Sequence, residues 1–394
     1  MEVRDKRAAL EDLDNESNKK SKLNDEQDLE IWEHINLDKL DIKALYRYIK
    51  LKESNVHVTN KDGYSLLYLA AYNKNVEALR ILLLQPNMDV NRLNGPHHEI
   101  ALHAACSKGL FDGVELLIDN GSKLDVKDSL GHTPLTNAIF SNSLACVELL
   151  LSAEKGADVT VTDEQDNNLL HLAATNNFST CIPLLVQKRV PIDDHNQRGL
   201  SPLAIAISFG FIETAFVLID NGADVNGKTH FATVLHHAVT WNRLEIIKKL
   251  VEKGCNPNVV NMLEETPLYL AVQQRKIDIV RYLIEEAKAD PCYMLHNPNN
   301  TTNLPLLYAA NHGYTEMSKL LLTPRTSTFF IQISADMSQR VGHQATEDYL
   351  RKSLTQQSME DATPTPTTTV NNTNSEKDDD VAFASLFNTF SDEE

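Results

Sequence analysis

The sequence is short of the residues from which most reactive sites are built. Its five cysteines, Cys106, Cys146, Cys181, Cys255 and Cys292, are an odd number, none lies close to another, and no CxxC occurs. A disulfide framework and a cysteine-rich zinc module are therefore disfavoured, and a reducing compartment, cytosol or nucleus, is the expected setting. Glycine supplies only 14 of 394 residues and forms no phosphate-cradling loop, and HExxH and GxSxG are missing as well. Positive charge is in deficit, with 37 Lys and Arg against 55 Asp and Glu, a net charge of −18. Such a chain repels phosphate backbones, which argues against direct nucleic-acid binding and against adhesion to anionic membranes. Long apolar runs are also missing. The first twenty residues contain none, so no secretory signal peptide is expected, and the most apolar stretch, 202–220, is interrupted by Gly210 and Glu213 and is too broken for membrane insertion.

What is present is a repeat. A Leu, an Ala three residues on and a second Leu fifteen residues after the first recur eight times. The first Leu falls at 67, 102, 135, 170, 203, 235, 268 and 306, with spacings of 35, 33, 35, 33, 32, 33 and 38 residues. Leu and Ala at i, i+3 share one helix face, and the small Ala lets a neighbouring helix approach closely. Seven residues after the first Leu stand Gly109, Asn142, Asn177, Gly210, Asn242 and Gly313, the residue types that tolerate a left-handed helix end. A second apolar helix follows, as in Val114, Leu116 and Leu117 or Ile246, Ile247 and Leu250. Neither helix can bury its face alone, so the units must stack.

Thr133-Pro134-Leu135, Ser201-Pro202-Leu203 and Thr266-Pro267-Leu268 open units, and Leu102-His103-Ala104-Ala105 and Leu170-His171-Leu172-Ala173-Ala174 continue them. Over residues 59–325 this pattern resembles the ankyrin repeat, with its 33-residue period and T-P-L-H-x-A signature. The resemblance implies an all-α solenoid of stacked helix-turn-helix units joined by β-hairpin-like loops. It also implies that His103, His171 and His236 join structural hydrogen-bond networks. The glycine expected at each hairpin tip survives as Gly63, Gly131 and Gly199 but is replaced by His98, Asp166, Phe231, Glu264 and Thr302, which predicts less regular tips there. Extra residues fall near 94–98, 152–156 and 291–302, and Pro183 inside the fourth second helix predicts a kink.

Residues 1–24 are polar and read as disordered; their Lys19-Lys20-Ser21-Lys22 is either a weak nuclear-import signal or a solvated charge cluster. Residues 25–58 read as a degenerate helical capping unit, with helices over 28–35 and 39–50, Ile31 in the first Leu position, His34 in the Ala position and Tyr46 in the second Leu position. Within 326–356 one capping helix is expected over 345–355, with Leu350 and Leu354 on one face. Residues 357–394 form an acidic tail read as disordered, with Thr363 and Thr365 before prolines and Ser391 before acids as candidate phosphorylation sites. In it Phe383, Leu386, Phe387 and Phe390 follow i, i+3, i+4, i+7 spacing, flanked by Asp378, Asp379 and Asp380 and by Asp392, Glu393 and Glu394. This stripe reads as a helix docking on a partner, as a segment docking on the chain's own repeats, or as an inert tail.

No catalytic, cofactor or metal site is expected. A His103/Cys106 pair lacks third and fourth ligands, and the adjacent pairs His97-His98 and His236-His237 carry diverging side chains. Binding residues are sought instead at two variable positions, five and six after the first Leu, which hold Tyr72, Phe140, Phe209 and Trp241. At the hairpin tips Asp128, Glu164, Gln165, Arg198 and Lys228 are polar candidates. Each of these residues has a structural reading beside the binding one, as packing against the next hairpin or as a solvated turn. The expected function is a non-enzymatic adaptor or scaffold for protein partners of unspecified oligomeric state. Two alternatives stand beside it. One is an inhibitor or cofactor masking the basic surface of a transcription factor, as in the inhibitors of Rel-type factors. The other is a substrate-recruiting subunit of a ubiquitin ligase or proteasome complex.

Overall fold

The computed structural model describes residue 45 and residues 58–152, 156–293, 303–324 and 326–361, with side chains to residue 356. The chain divides into two compact units, 1–191 and 192–394.

In the first unit the helix pairs are α1 Leu66–Tyr72 with α2 Val76–Leu83, α3 Ala101–Ser107 with α4 Phe111–Asp119, and α5 Pro134–Phe140 with α6 Leu144–Ser152. Last comes α7 Leu169–Thr175 with α8 Ile182–Gln187. The first helices stack α1 on α3 on α5 on α7, and the second helices stack alongside them. Leu45, a described residue of the expected N-terminal cap, is helical and fully buried, while Ile31, His34 and Tyr46 lie outside the described residues.

In the second unit the pairs are α9 Pro202–Phe209 with α10 Ile212–Asp220, α11 Val234–Thr240 with α12 Leu244–Glu252, α13 Pro267–Gln273 with α14 Ile277–Glu285, and α15 Pro305–Asn311 with α16 Thr315–Leu321. A ninth pair, α17 Thr328–Val341 and α18 Gln344–Asp361, packs on α15 and α16. Among the described residues no strand forms; the hairpins contribute isolated antiparallel bridges at Thr59–Ser65, Asn94–Glu99 and Lys228–Thr233.

Local chemistry explains each element. Ser65, Thr133, Ser201 and Thr266 cap helix starts by accepting a backbone N–H bond three residues on. Pro134, Pro202, Pro267 and Pro305 occupy first helical positions, where the missing N–H costs nothing. Every residue seven after the first Leu has positive φ, and this includes Lys74 and Arg275 as well as the six Gly and Asn. All three template positions are at most 3% exposed in all eight repeats. The helices are too short to persist alone, so this burial is what holds them.

Three expectations are corrected. Pro183 divides its helix at the start rather than kinking its interior: Ser179–Cys181 forms a 3-10 turn and α8 starts only at Ile182, leaving the proline in the first helical turn. His98, Asp166 and Glu264 keep the tip geometry at φ +55°, +57° and +59°, so these tips remain regular at the expense of some backbone strain. Only Phe231 among the described replacements lacks positive φ; Thr302 lies outside the described residues. Finally, α18 covers the expected helix, but α17 was not foreseen. With Gly342 as the left-handed turn, Ala335, Ser338 and Leu350 fall in the three template positions, and all are fully buried. The last pair is thus a degenerate repeat.

The signature histidines fix their loops. Backbone N–H groups of Ile100, Asn168 and Thr233 donate to Nδ1 of His103, His171 and His236. The Nε2–H groups of His103 and His236 donate to the His132 and Glu265 carbonyls of the next loop, at 3.2 and 2.9 Å. Burial lowers the His103 pKa and pushes that of His236 down to about 4. An unfolded His titrates near 6.5, so the unfolded chain binds the extra proton first as pH falls. Stability from this group is complete above about pH 6.5 and is lost as pH falls toward 4. Urea melts of the full chain at pH 7.5 and 4.5 should differ by about 2–3 kcal/mol on account of His236, and His236→Gln should flatten the slope.

Gly210 and Gly222 separate backbone strain from crowding. Both have positive φ, +77° and +96°, but a Cβ on Gly210 would meet the Arg243 guanidinium at 2.4 Å while one on Gly222 would meet nothing within 4 Å. Gly222→Ala should cost about 1 kcal/mol in equilibrium unfolding, and Gly210→Ala should cost more.

Candidate protein-binding surface

The four aromatic candidates all sit at the C-terminal ends of first helices. In the first unit, Tyr72 is the last residue of α1 and Phe140 the last of α5. Tyr64, Tyr68 and Tyr72 stack along α1 with ring centroids 4.9 and 6.2 Å apart, and the Tyr68 hydroxyl donates to Glu99. Lys108 Nζ lies 3.8 Å from the Tyr72 ring centroid, a cation–π contact. Phe140 meets His132 edge to face at 5.0 Å. The position is Ser107 in the second repeat and Thr175 in the fourth, so the first unit has no adjacent aromatic pair there.

In the second unit, Phe209 ends α9 and Trp241 is the C-terminal cap residue of α11. They are 57% and 50% exposed, and they occupy the same template position in consecutive repeats. Their backbones are held from the next repeat. An Arg243 guanidinium N–H donates to the Ser208 carbonyl at 3.5 Å, and Lys276 Nζ donates to the Val239 and Thr240 carbonyls at 2.6 and 2.7 Å. Both cations satisfy carbonyls left over at a helix C-terminus, where positive charge is favourable. Burial, then the charge of Arg243, lowers the Lys276 pKa. Phe209 also stacks on Phe211 at 5.5 Å. The rings therefore project from a backbone fixed by its neighbours, so little ordering entropy is lost when they bind.

The tip residues divide. Asp128 is turned inward: its carboxylate accepts the Leu130 and His132 N–H groups at 2.8 Å and pairs with the His132 ring at 3.5 Å. Glu164, Gln165, Arg198 and Lys228 are exposed on their tips. The Lys228 carbonyl accepts from His195 Nε2. Phe383, Leu386, Phe387 and Phe390 lie outside the described residues.

The most exposed apolar tip residues escaped the sequence reading. Phe231, Met262 and Leu263 are 72%, 70% and 70% exposed on consecutive hairpin tips of the second unit. Phe231 was visible as a replacement of the tip glycine; Met262 and Leu263 needed knowledge of which loop atoms face solvent.

Among the described residues, no group of three His, Cys, Asp or Glu side chains is placed to hold a metal, and no helix is long and apolar enough to cross a membrane. Cys106, Cys146, Cys181 and Cys255 are buried, and burial pushes the Cys181 and Cys255 thiols up to about 12, far from a nucleophile's range. An open depression of about 410 Å³ lies beside the last turns, where Arg275 sits 4.9 Å over the Tyr314 ring and Ile277 and Met317 line the wall.

Comparison with known proteins agrees with this architecture. The family model described as ankyrin repeats (three copies) matches residues 39–128, 84–163, 155–229 and 235–331. The B-cell lymphoma 3 protein homolog of Mus musculus is 30% identical over 232 residues, 56% of this chain and 51% of the relative. The Homo sapiens palmitoyltransferase ZDHHC13 is 32% identical over 191 residues, 48% of this chain and 30% of the relative. The chain thus spans about half, or less, of the length of these relatives. Among solved structures, the ankyrin repeat domain of Bcl-3, described as a unique member of the IkappaB protein family, aligns with a TM-score of 0.50 at 27% identity. The alignment covers 56% of this chain and 100% of that domain. With the family model matching well over half its length, the chain belongs to the ankyrin-repeat family, and its array is a protein-interaction fold.

Proposed function

We propose that the chain is a non-enzymatic scaffold that captures a partner protein at the first-helix ends of its second unit, with Phe209 and Trp241 as anchors. The observation that carries this reading is the pair itself. Two large aromatic rings, half exposed, occupy one template position in consecutive repeats on helix ends capped by Arg243 and Lys276. Stacked helices lie about 10 Å apart, so the rings are spaced to flank one partner segment. Aromatic residues on a preorganised backbone are the usual carriers of interface energy. Arg243 and Lys276 sit at the helix ends that bear the pair, so an acidic-apolar partner segment fits it.

A second reading is regulation of a transcription factor in cytosol or nucleus. Two observations favour it: the likeness to the Bcl-3 ankyrin domain and the net charge of −18, which suits a basic target.

The two readings separate by salt. Affinity capture from the native lysate should be run with the wild type and with Trp241→Ala, at about 0.1 and 0.5 M salt, where the screening length falls from about 10 Å toward 4 Å. The scaffold reading expects partners that survive high salt and are lost with Trp241→Ala. Subsequent titration should show a 10–100-fold weaker Kd for Trp241→Ala or Phe209→Ala, with the unfolding midpoint little changed. Partners indifferent to both substitutions but released by salt would sink it and favour the masking of a basic surface.

A further inference from the structure

The second unit carries an apolar patch that neither the array's packing nor the proposed partner surface uses. Phe231 stands on the hairpin tip between α10 and α11, and Met262 and Leu263 stand on the tip between α12 and α13. The tips are latched together. Met262 N–H donates to the Phe231 carbonyl at 3.1 Å, and Asn303 Nδ2 donates to the Leu263 carbonyl at 2.9 Å. His230 packs so closely over the preceding tip that a Cβ on Gly199 would overlap its ring at 2.0 Å. Leu263 N–H is held by Asn261 Oδ1 at 2.9 Å. Three large apolar side chains are thus presented on a fixed frame at 70% exposure or more, an arrangement that singly scattered surface residues do not explain. On the same tips Arg198 and Lys228 are offset by Asp193, Asp194, Glu264 and Glu265, so what distinguishes the patch is its apolar surface and not its charge.

The chain holds a segment of matching chemistry. Phe383, Leu386, Phe387 and Phe390 form one stripe at helical spacing, between Asp378, Asp379 and Asp380 and the terminal Asp392, Glu393 and Glu394. Its point of departure also fits. In each repeat the second helix runs from the turn back toward the next hairpin, and α18 follows the same course, packed on α16 and on α17. At 18 residues it is at least twice as long as any second helix before it, so it delivers the chain to the hairpin side. Residues 362–382 then connect to the stripe. A linker of that length reaches about 70 Å extended and averages about 25 Å as a coil. The tips lie about three repeat layers back, roughly 30 Å at the spacing of packed helices. Tethering makes the encounter intramolecular, with an effective concentration on the order of millimolar.

We infer that the C-terminal stripe Phe383, Leu386, Phe387 and Phe390 docks in cis on the Phe231–Met262–Leu263 tip patch of the same chain. The tail then covers an apolar surface that would otherwise face water, and any partner of the tips must displace it. This surface is distinct from the Phe209 and Trp241 pair, so the inference stands or falls separately from the proposed function.

Hydrogen–deuterium exchange of the full chain tests it. In the wild type, amides of 383–390 should exchange at least about tenfold more slowly than free-chain rates, and the 228–233 and 260–265 tips should gain protection relative to a Phe383→Asp/Phe387→Asp variant. The reciprocal Phe231→Ser/Leu263→Ser variant should release the tail, with circular dichroism confirming that the array remains folded. The effect should be unchanged on tenfold dilution. Protection that weakens with dilution would overturn docking in cis in favour of docking on a second copy. Tail amides at free-chain rates, or tips indifferent to the Phe383→Asp/Phe387→Asp variant, would overturn the inference outright.

Discussion

Everything in this molecule depends on one close approach: first helices stacked through a shared face in which a buried alanine recurs. The helices are seven to nine residues long through the eight repeats, apart from the six-residue α8, below the length at which an isolated helix persists in water. Each exists because the next one covers it. Alanine at the second template position, fully buried in all eight repeats, sets the spacing at which this cover is complete. Ser338 at the same position in the last pair preserves that spacing by a different chemistry. Its hydroxyl donates to the Ser334 and Ala310 carbonyls, so a polar atom enters the seam without being stranded.

A second layer of interactions crosses the repeats and turns stacking into precise placement. Ser141 reaches the Cys106 carbonyl at 2.7 Å, Lys188 the Leu151 carbonyl at 2.9 Å, and His343 the Asn311 carbonyl at 3.1 Å. Each satisfies an orphan acceptor at the end of the preceding helix. Arg243 and Lys276 belong to this set, so the helix ends bearing Phe209 and Trp241 are positioned by side chains of the following repeat. The placement of an exposed residue in one repeat is thus conditioned by the sequence of the next.

Much of the fold was legible because the repeat imposes the same burial at every copy. Leu, Ala and Leu at fixed offsets identify the core without reference to propensity. The pattern failed where a different residue met the same demand. Ala335 stands where a leucine was sought, so the last pair went unrecognised, although Gly342 and Leu350 keep their offsets. His98, Asp166 and Glu264 read as making their tips less regular, yet the surrounding hydrogen bonds hold them in a left-handed conformation that glycine would adopt more cheaply. The candidate surface was less legible. Template position located Phe209 and Trp241, because exposure at the end of a first helix is periodic. Asp128 shows the limit of that approach: an acid on a tip reads as available until its bonds to Leu130 and His132 are seen.

The ninth helix pair has a consequence at the level of assembly. A solenoid is built by translation, and each repeat offers its successor the same apolar face it received from its predecessor. Left bare, the last face would accept the first face of another chain, and such head-to-tail contacts do not close into a ring unless the rotation happens to fit; they propagate as fibres. In α17 and α18 the inward positions stay small or apolar, as in Ile331, Ala335 and Leu350, while Arg351 is tied to Asp336 and Glu347 away from them and Val341 stays half exposed. The pair accepts the repeat before it and sets fixed charges where an ordinary repeat would carry an apolar stripe. In the polymer sense such charges lower the tendency of that end to add further units.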